Sequence, residues 1–178
     1  MQSKLLFIMV EGPDDKNFFT KIVQPKLMNF YSSIKFIEYS GWKFKKRRQF
    51  IKAIQAMTAA YLYVSDNDQS PCISDRKQKV TEKIENLEKD RIQIVVEEIE
   101  SWYLAGLDED KSKLLHIKYL KRTDKVTKER FRELRPKRLT TNIEFMAEIL
   151  KAFSIDVAKE KNQSFKYFCE KHLSLGET

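Results

Sequence analysis

Short apolar runs alternate with helical patterns through residues 5–106, and this alternation limits the possible folds more than any other feature. Leu5-Leu-Phe-Ile-Met-Val10 is apolar at every position, as suits a central strand covered on both faces. Ile34–Tyr39 is a second, less apolar run, expected nearer an edge. Tyr61–Asp66 and Arg91–Val96 complete a set of four. Between them lie helical patterns. The first runs from Pro13 to about Asn29, with Phe18, Phe19, Ile22, Val23 and Leu27 on its buried face and Pro25 interrupting it. The second spans Phe44 to about Thr58, with a stripe of Phe50, Ile51, Ile54 and Met57. The third covers Ser74–Asp90, with Val80, Ile84 and Leu87 inward, and a fourth begins in Ser101–Gly106. The order β-α-β-α-β-α-β-α predicts an α/β domain: a mostly parallel four-stranded sheet flanked by crossover helices. Past residue 110 no strand is evident, and 114–120, 131–134, 143–153 and 165–173 read as amphipathic helical pieces. The expected organisation is an α/β domain over 1–110 with a helical C-terminal extension, 111–178, packed on it.

Few other features compete with this reading. The chain has only four Gly and four Pro, against a long linker. Cys72 and Cys169 belong to no CxxC or Cys/His spacing, and His116 and His172 are isolated, so neither a zinc site nor a disulfide framework is expected. The apolar run at 5–10 is stopped by Glu11 and is far too short to span a membrane. The expectation is a soluble, cytoplasmic protein with no membrane partner.

Acids stand where the strands end. Glu11 follows the first run, Asp66 and Asp68 close the third, and Glu97, Glu98 and Glu100 follow the fourth. In a parallel sheet such ends share one edge, where ligands of open α/β sheets collect. Residues two apart on a strand point to one face, so Asp66 and Asp68 are expected to share one hard cation or to hold two nearby. Asp also favours turns for its own local hydrogen bonds; the coincidence at three strand ends carries the argument. Carboxylates gathered without a counterion have raised pKa values, and a cation removes that penalty. Oxygen-only ligands suit Mg²⁺ or Mn²⁺, whose chemistry here is phosphoryl transfer or phosphodiester hydrolysis. Asp14 and Asp15 have an adequate role in the first turn of a helix and are not candidates.

Val10-Glu11-Gly12-Pro13-Asp14-Asp15-Lys16, then Asp66-x-Asp68, then Glu98-x-Glu100-Ser101-Trp102, resemble the Toprim domain of topoisomerases, primases and related nucleases. The pattern is most similar to small Toprim-like proteins related to the nucleases named for the overcoming-lysogenization-defect phenotype. It covers roughly residues 4–107, and Pro136-Lys137-Arg138 and Ser164-Phe165-x-x-Phe168 resemble the tail of those proteins. The resemblance implies that Glu11 is a general base or metal ligand and that Asp66 and Asp68 bind metal. It also implies a further acid, Glu98 or Glu100, for a second metal. Such domains often work beside an ATPase, and no P-loop occurs in this chain, so a separate ATPase or other protein partner is implied.

The chain's net charge of +8 is localised. Lys43, Lys45, Lys46, Arg47 and Arg48 crowd the start of the second helix, interleaved with Trp42 and Phe44. Residues 118–138 hold ten Lys or Arg against three acids, among them Arg135, Lys137 and Arg138. A basic wall beside an acidic metal edge suits phosphodiester cleavage, with Lys137 and Arg138 neutralising charge that develops on the phosphate. Lys-rich helix faces are also commonly just solvated. The leading expectation is a Mg²⁺- or Mn²⁺-dependent nuclease acting on DNA or RNA. The alternatives are a non-catalytic nucleic-acid-binding or partner-binding module, and a small-molecule phosphoesterase or phosphotransferase.

Overall fold

The computed structural model describes residues 5–174. Its sheet has four parallel strands in the order β2-β1-β3-β4: β1 Leu5–Val10, β2 Ser33–Glu38, β3 Ala60–Asp66 and β4 Ile92–Val95. The chain divides into two compact units, one through Ile94 and one from Val95.

In the first unit, β1 pairs with β2 (Met9 opposite Ile37) and with β3 (Met9 opposite Tyr63). Every residue of β1 from Leu6 to Val10 is buried, which explains its unbroken apolar run. β2 has no fully buried residue, as its mixed composition predicts. From β1 the chain winds outward to β2, then crosses back to β3 and on to β4. Right-handed crossovers then place the first connection on one face and the later two on the other. The core agrees: Ile51 and Ile54 of α3 (Phe44–Ala56) and Val80 of α4 (Ile73–Lys83) cluster with Phe7, Met9, Tyr61, Tyr63, Ile92 and Ile94. The reversal of winding between β1 and β3 opens a crevice at their carboxyl ends.

The first connection is not one regular helix. α1 (Pro13–Phe18) passes into a π turn (Phe19–Val23) before α2 (Gln24–Leu27). Pro25 has no N–H to donate backwards, so the chain widens ahead of it and restarts with Pro25 in a first turn. α4 also stops earlier than its pattern suggested, at Lys83, and Asn86 takes φ 68°. Ile84 and Leu87 remain buried although they lie outside the helix.

The second unit is helical around α5 (Ile99–Ala105), whose seven residues are all buried. α6 (Glu109–Leu114), α7 (Lys128–Leu134), α8 (Asn142–Ala152), α9 (Ile155–Lys161) and α10 (Gln163–His172) follow. The expected helix at 114–120 does not form: α6 ends at Leu114, His116 takes φ 58° and Leu114 is 73% exposed. α9 was not legible as a separate helix; its N-cap is Ser154, whose side chain accepts from Val157 N–H. Trp102 meets Phe165 and Phe168 with ring centroids 5.0 and 5.3 Å apart, and its indole N–H donates to Ser164 Oγ at 2.8 Å. Asn162 ties this cluster together: its Oδ1 accepts from Ser164 Oγ and Phe165 N–H, and its Nδ2 donates to Ser101 and Thr123 hydroxyls. The Ser101-Trp102 and Ser164-Phe165-x-x-Phe168 sequences thus form a packed, hydrogen-bonded core in this unit. Among the described residues, no helix is long and apolar enough to cross a membrane.

Candidate phosphate-handling cleft

A cleft of about 180 Å³ opens at the carboxyl ends of β1 and β3, lined by side chains that include Glu11, Asp68, Arg47, Arg76, Lys83 and Ser65. Its location follows from the register. Continuing the β1–β3 pairing two residues past Met9 and Tyr63 sets Glu11 beside Ser65, on the face covered by α3 and α4. Glu11 is exposed, and its backbone carbonyl accepts Ser40 N–H at 2.9 Å. Asp15, one helical turn on, is committed elsewhere: its Oδ2 accepts Gly12 N–H at 3.1 Å and caps the start of α1.

The expectation that Asp66 and Asp68 share one face needs correction. The strand ends at Asp66, and Asp68 and Gln69 then take φ 46° and 56°, so the alternation does not carry across. Asp66 follows Ser65 by one residue and belongs to the opposite face of the strand. Asp68 is brought back by the turn to line the cleft with Glu11.

Arg76 fixes that turn. Its guanidinium donates to Ser65 Oγ and to the Asp66 carbonyl, both at 2.8 Å, and pairs with Asp68 Oδ2 at 2.6 Å. Its side chain is only 12% exposed. Arg47 reaches in from the first turn of α3. Its Nε donates to the Trp42 carbonyl at 3.0 Å and its Nη1 to Tyr63 Oη at 3.1 Å. The same guanidinium lies 4.4 Å from the Tyr39 ring centroid and 5.0 Å from that of Phe44. Tyr39 and Tyr63 stack at 4.7 Å, and Tyr39 Oη donates to the Val64 carbonyl at 2.6 Å. Burial raises both phenol pKa values, more strongly for Tyr39, with neighbouring Tyr63 and Glu11 adding to the effect there. Both stay protonated at neutral pH and serve as donors or platforms, not as bases.

Lys43, Lys45 and Lys46 are exposed at the start of α3, Lys46 lying 4.0 Å from the Trp42 ring centroid. Arg48 pairs with Glu85 at 3.1 Å. Glu98 and Glu100 belong to the second unit. The Glu98 carboxylate accepts Lys128 N–H and so holds the first turn of α7, and Glu100 is 1% exposed within α5. Arg135 donates to Asn142 Oδ1 at 2.8 Å, while Lys137 and Arg138 are exposed. Tyr39, Phe44, Tyr63, Ser65, Arg76 and Lys83 were not singled out from the sequence as site residues. Arg76 could have been, as the arginine of a lysine-rich helix one loop after the Asp pair.

Among the described residues no three His, Cys, Asp or Glu side chains are gathered to hold a metal ion. The cleft offers two carboxylates, Glu11 and Asp68, with the Ser65 hydroxyl nearby. Mg²⁺ commonly takes one or two carboxylates and completes its shell with water and phosphate oxygens, so this oxygen-only set fits a hard cation. No protein family, curated protein or solved structure matches the chain.

Proposed function

We propose that the first unit is a Toprim-like, Mg²⁺- or Mn²⁺-dependent phosphodiesterase acting on DNA or RNA. The observation that carries this reading is the meeting of two carboxylates, Glu11 and Asp68, with three cations, Arg47, Arg76 and Lys83, in one cleft at the strand ends. Cations hold phosphate oxygens; carboxylates hold a metal or take a proton. Glu11 and Asp68 would hold the metal; Asp66, at the end of the strand and on its opposite face, is a further ligand of the proposal. A divalent ion held there would activate a water and stabilise the leaving oxygen. Glu11, exposed at the cleft, would alternatively act as the general base and accept the proton of the attacking water. Arg76 positions Asp68 and neutralises the phosphate, and Arg47 orients it. Glu98 or Glu100 as ligands of a second metal, Lys137 as a catalytic cation, and phosphate contacts from Lys43, Lys45, Lys46, Arg48, Arg135 and Arg138 are further parts of the proposal. So is a separate ATPase partner.

The test is cleavage of single- and double-stranded DNA and of RNA with Mg²⁺ or Mn²⁺. Glu11→Gln is expected to slow cleavage by about 100-fold or more while the circular dichroism spectrum is unchanged. Parent-rate cleavage by Glu11→Gln would sink the assignment. One observation favours a second reading, a binding module that does not cut: Asp68 is already neutralised by Arg76 at 2.6 Å. That reading expects salt-sensitive nucleic-acid binding indifferent to Mg²⁺.

A further inference from the structure

We propose that Arg47 and Lys83 form a subsite for a phosphomonoester dianion, the group at a phosphorylated strand end or on a free nucleotide. The inference rests on the phosphate-handling reading of the cleft and names which phosphate it takes. It starts from a contrast in pairing. Arg48 has Glu85 at 3.1 Å and Arg76 has Asp68 at 2.6 Å. Among the described residues, neither Arg47 nor Lys83 has a carboxylate within ion-pair distance. Yet Arg47 is half-buried, and both side chains line the cleft.

Arg47 is also held in advance of any ligand. Its Nε and Nη1 are engaged by the Trp42 carbonyl and Tyr63 Oη, and its plane lies against Tyr39 and Phe44. These contacts fix the fork and leave Nη2 for an anion, the preorganised geometry in which arginine recognises phosphate. Lys83 Nζ lies 5.5 Å from the centroid of the same Phe44 ring whose centroid is 5.0 Å from Arg47 Cζ. One half-exposed aromatic ring therefore holds both cations at the cleft.

A second observation comes from the backbone. The 13-residue helix α3 begins with no side-chain cap and no acid in its first turn, and Lys45, Lys46 and Arg47 stand there instead. Cations oppose the macrodipole at that end, where anions are favoured. Lys83, in the last turn of α4, has an ordinary dipole role; Arg47 has none. The pair of cations selects the class of phosphate. Glu11, the remaining carboxylate of the cleft, is in ion-pair contact with neither Arg47 nor Lys83. Two such cations are engaged together more fully by a monoester, with three terminal oxygens and about −1.5 to −2 charge near neutral pH, than by a diester with two terminal oxygens and a single charge.

The test measures binding without divalent metal, in the presence of a chelator. Short single-stranded DNA bearing a 5′- or 3′-phosphate is compared with the same strand ending in hydroxyls, using fluorescence anisotropy. Inorganic phosphate and a nucleoside monophosphate serve as competitors. The parent protein is expected to prefer one phosphorylated end by about tenfold or more, or to be displaced equally well by the nucleoside monophosphate. The first result places the group on a strand end and the second on a free ester; both uphold the subsite. Arg47→Gln and Lys83→Gln should each erase the discrimination, and Lys83, being exposed, can be changed without touching the core. Equal affinity for phosphate and hydroxyl ends with no competition overturns the proposal, as does discrimination that survives both substitutions. Because no metal is present, failure here is separable from failure of the cleavage reading, which Glu11→Gln tests.

Discussion

Replacing Arg76 with Met tests whether the Asp66–Asp68 turn is held by one guanidinium. Met keeps much of the aliphatic stem and removes every donor. Three contacts are lost, and they differ in weight. Asp68 is 63% exposed, so its ion pair contributes at most about 1 kcal/mol. The bonds to Ser65 Oγ and the Asp66 carbonyl are part-buried and short, both 2.8 Å, and each contributes roughly 1 kcal/mol net, with water entering the open cleft limiting the loss. The sum is about 2–3 kcal/mol. In a chain of 178 residues that corresponds to a fall in Tm of roughly 4–12 °C. Thermal unfolding followed by far-UV circular dichroism reads the loss. A double-mutant cycle with Asp68→Asn separates the parts: the Arg76–Asp68 coupling should not exceed about 1 kcal/mol. An Arg76→Met protein as stable as the parent, or a coupling of about 3 kcal/mol, would refute this account of the turn. With the turn loosened, Mn²⁺ affinity should fall as well, measured by calorimetric titration.

Gly106→Ala should destabilise the second unit by about 1–3 kcal/mol or more, because an added Cβ would overlap the Phe153 ring, itself edge-on to Phe165; urea unfolding reads it, and Phe153→Ala in the same chain should relieve the clash while leaving a cavity. Lys161 is 4% exposed and donates to the Leu107 and Leu104 carbonyls, and burial pushes its ammonium down to about 8 from 10.5. Between those values the unfolded chain binds a proton that the folded one lacks, so this group's contribution to stability rises with pH across the window. Urea midpoints of the parent minus those of Lys161→Met should therefore increase from neutral pH towards pH 10; a flat difference would count against the shift. Burial pushes the Cys169 thiol up to about 12, while Cys72 is exposed. A thiol reagent should label Cys72 quickly and Cys169 only on unfolding, and equal rates in the native protein would contradict the packing around α10.

The sheet was legible because its strands differ in kind from what separates them. An unbroken apolar run such as Leu5–Val10 has few alternatives to a central strand, and the structure buries all but its first residue. Helix lengths were less legible. Ile84 and Leu87 continue the α4 stripe in sequence and are both buried, yet the helix ends before them. A periodic pattern records which residues are inward; it does not record that the chain leaves the helix at Ile84, with φ −123° and ψ 90°, or that Asn86 beyond it takes the left-handed region. The same limit governs the acids. Asp66-x-Asp68 gives a spacing, and the spacing specifies a common face only while the strand continues. Glu98 shows the complementary case: its acid at a strand end was visible, and its use by the Lys128 N–H, thirty residues on, was not.

The basic residues argue a different point, since charge alone treated them as one class. In the run Lys43 to Arg48 the structure sorts them by chemical type. Lys43, Lys45 and Lys46 remain exposed, while Arg47 enters the cleft between aromatic rings and Arg48 pairs with Glu85. The stretch 118–138 sorts less cleanly: Arg122 pairs with Asp124, Arg130 with Glu133, and Arg135 bonds Asn142, but Lys128 pairs with Glu98, and Arg138 is exposed, as is Lys137. A guanidinium is planar, weakly hydrated and carries several fixed donors, so it can be partly buried at lower cost than an ammonium. Around the cleft the arginines are therefore the better pointers to a built contact. Arg76, the arginine of α4, sits against the Asp pair on that principle, and Arg47 is the one such residue in its run with no carboxylate to answer it.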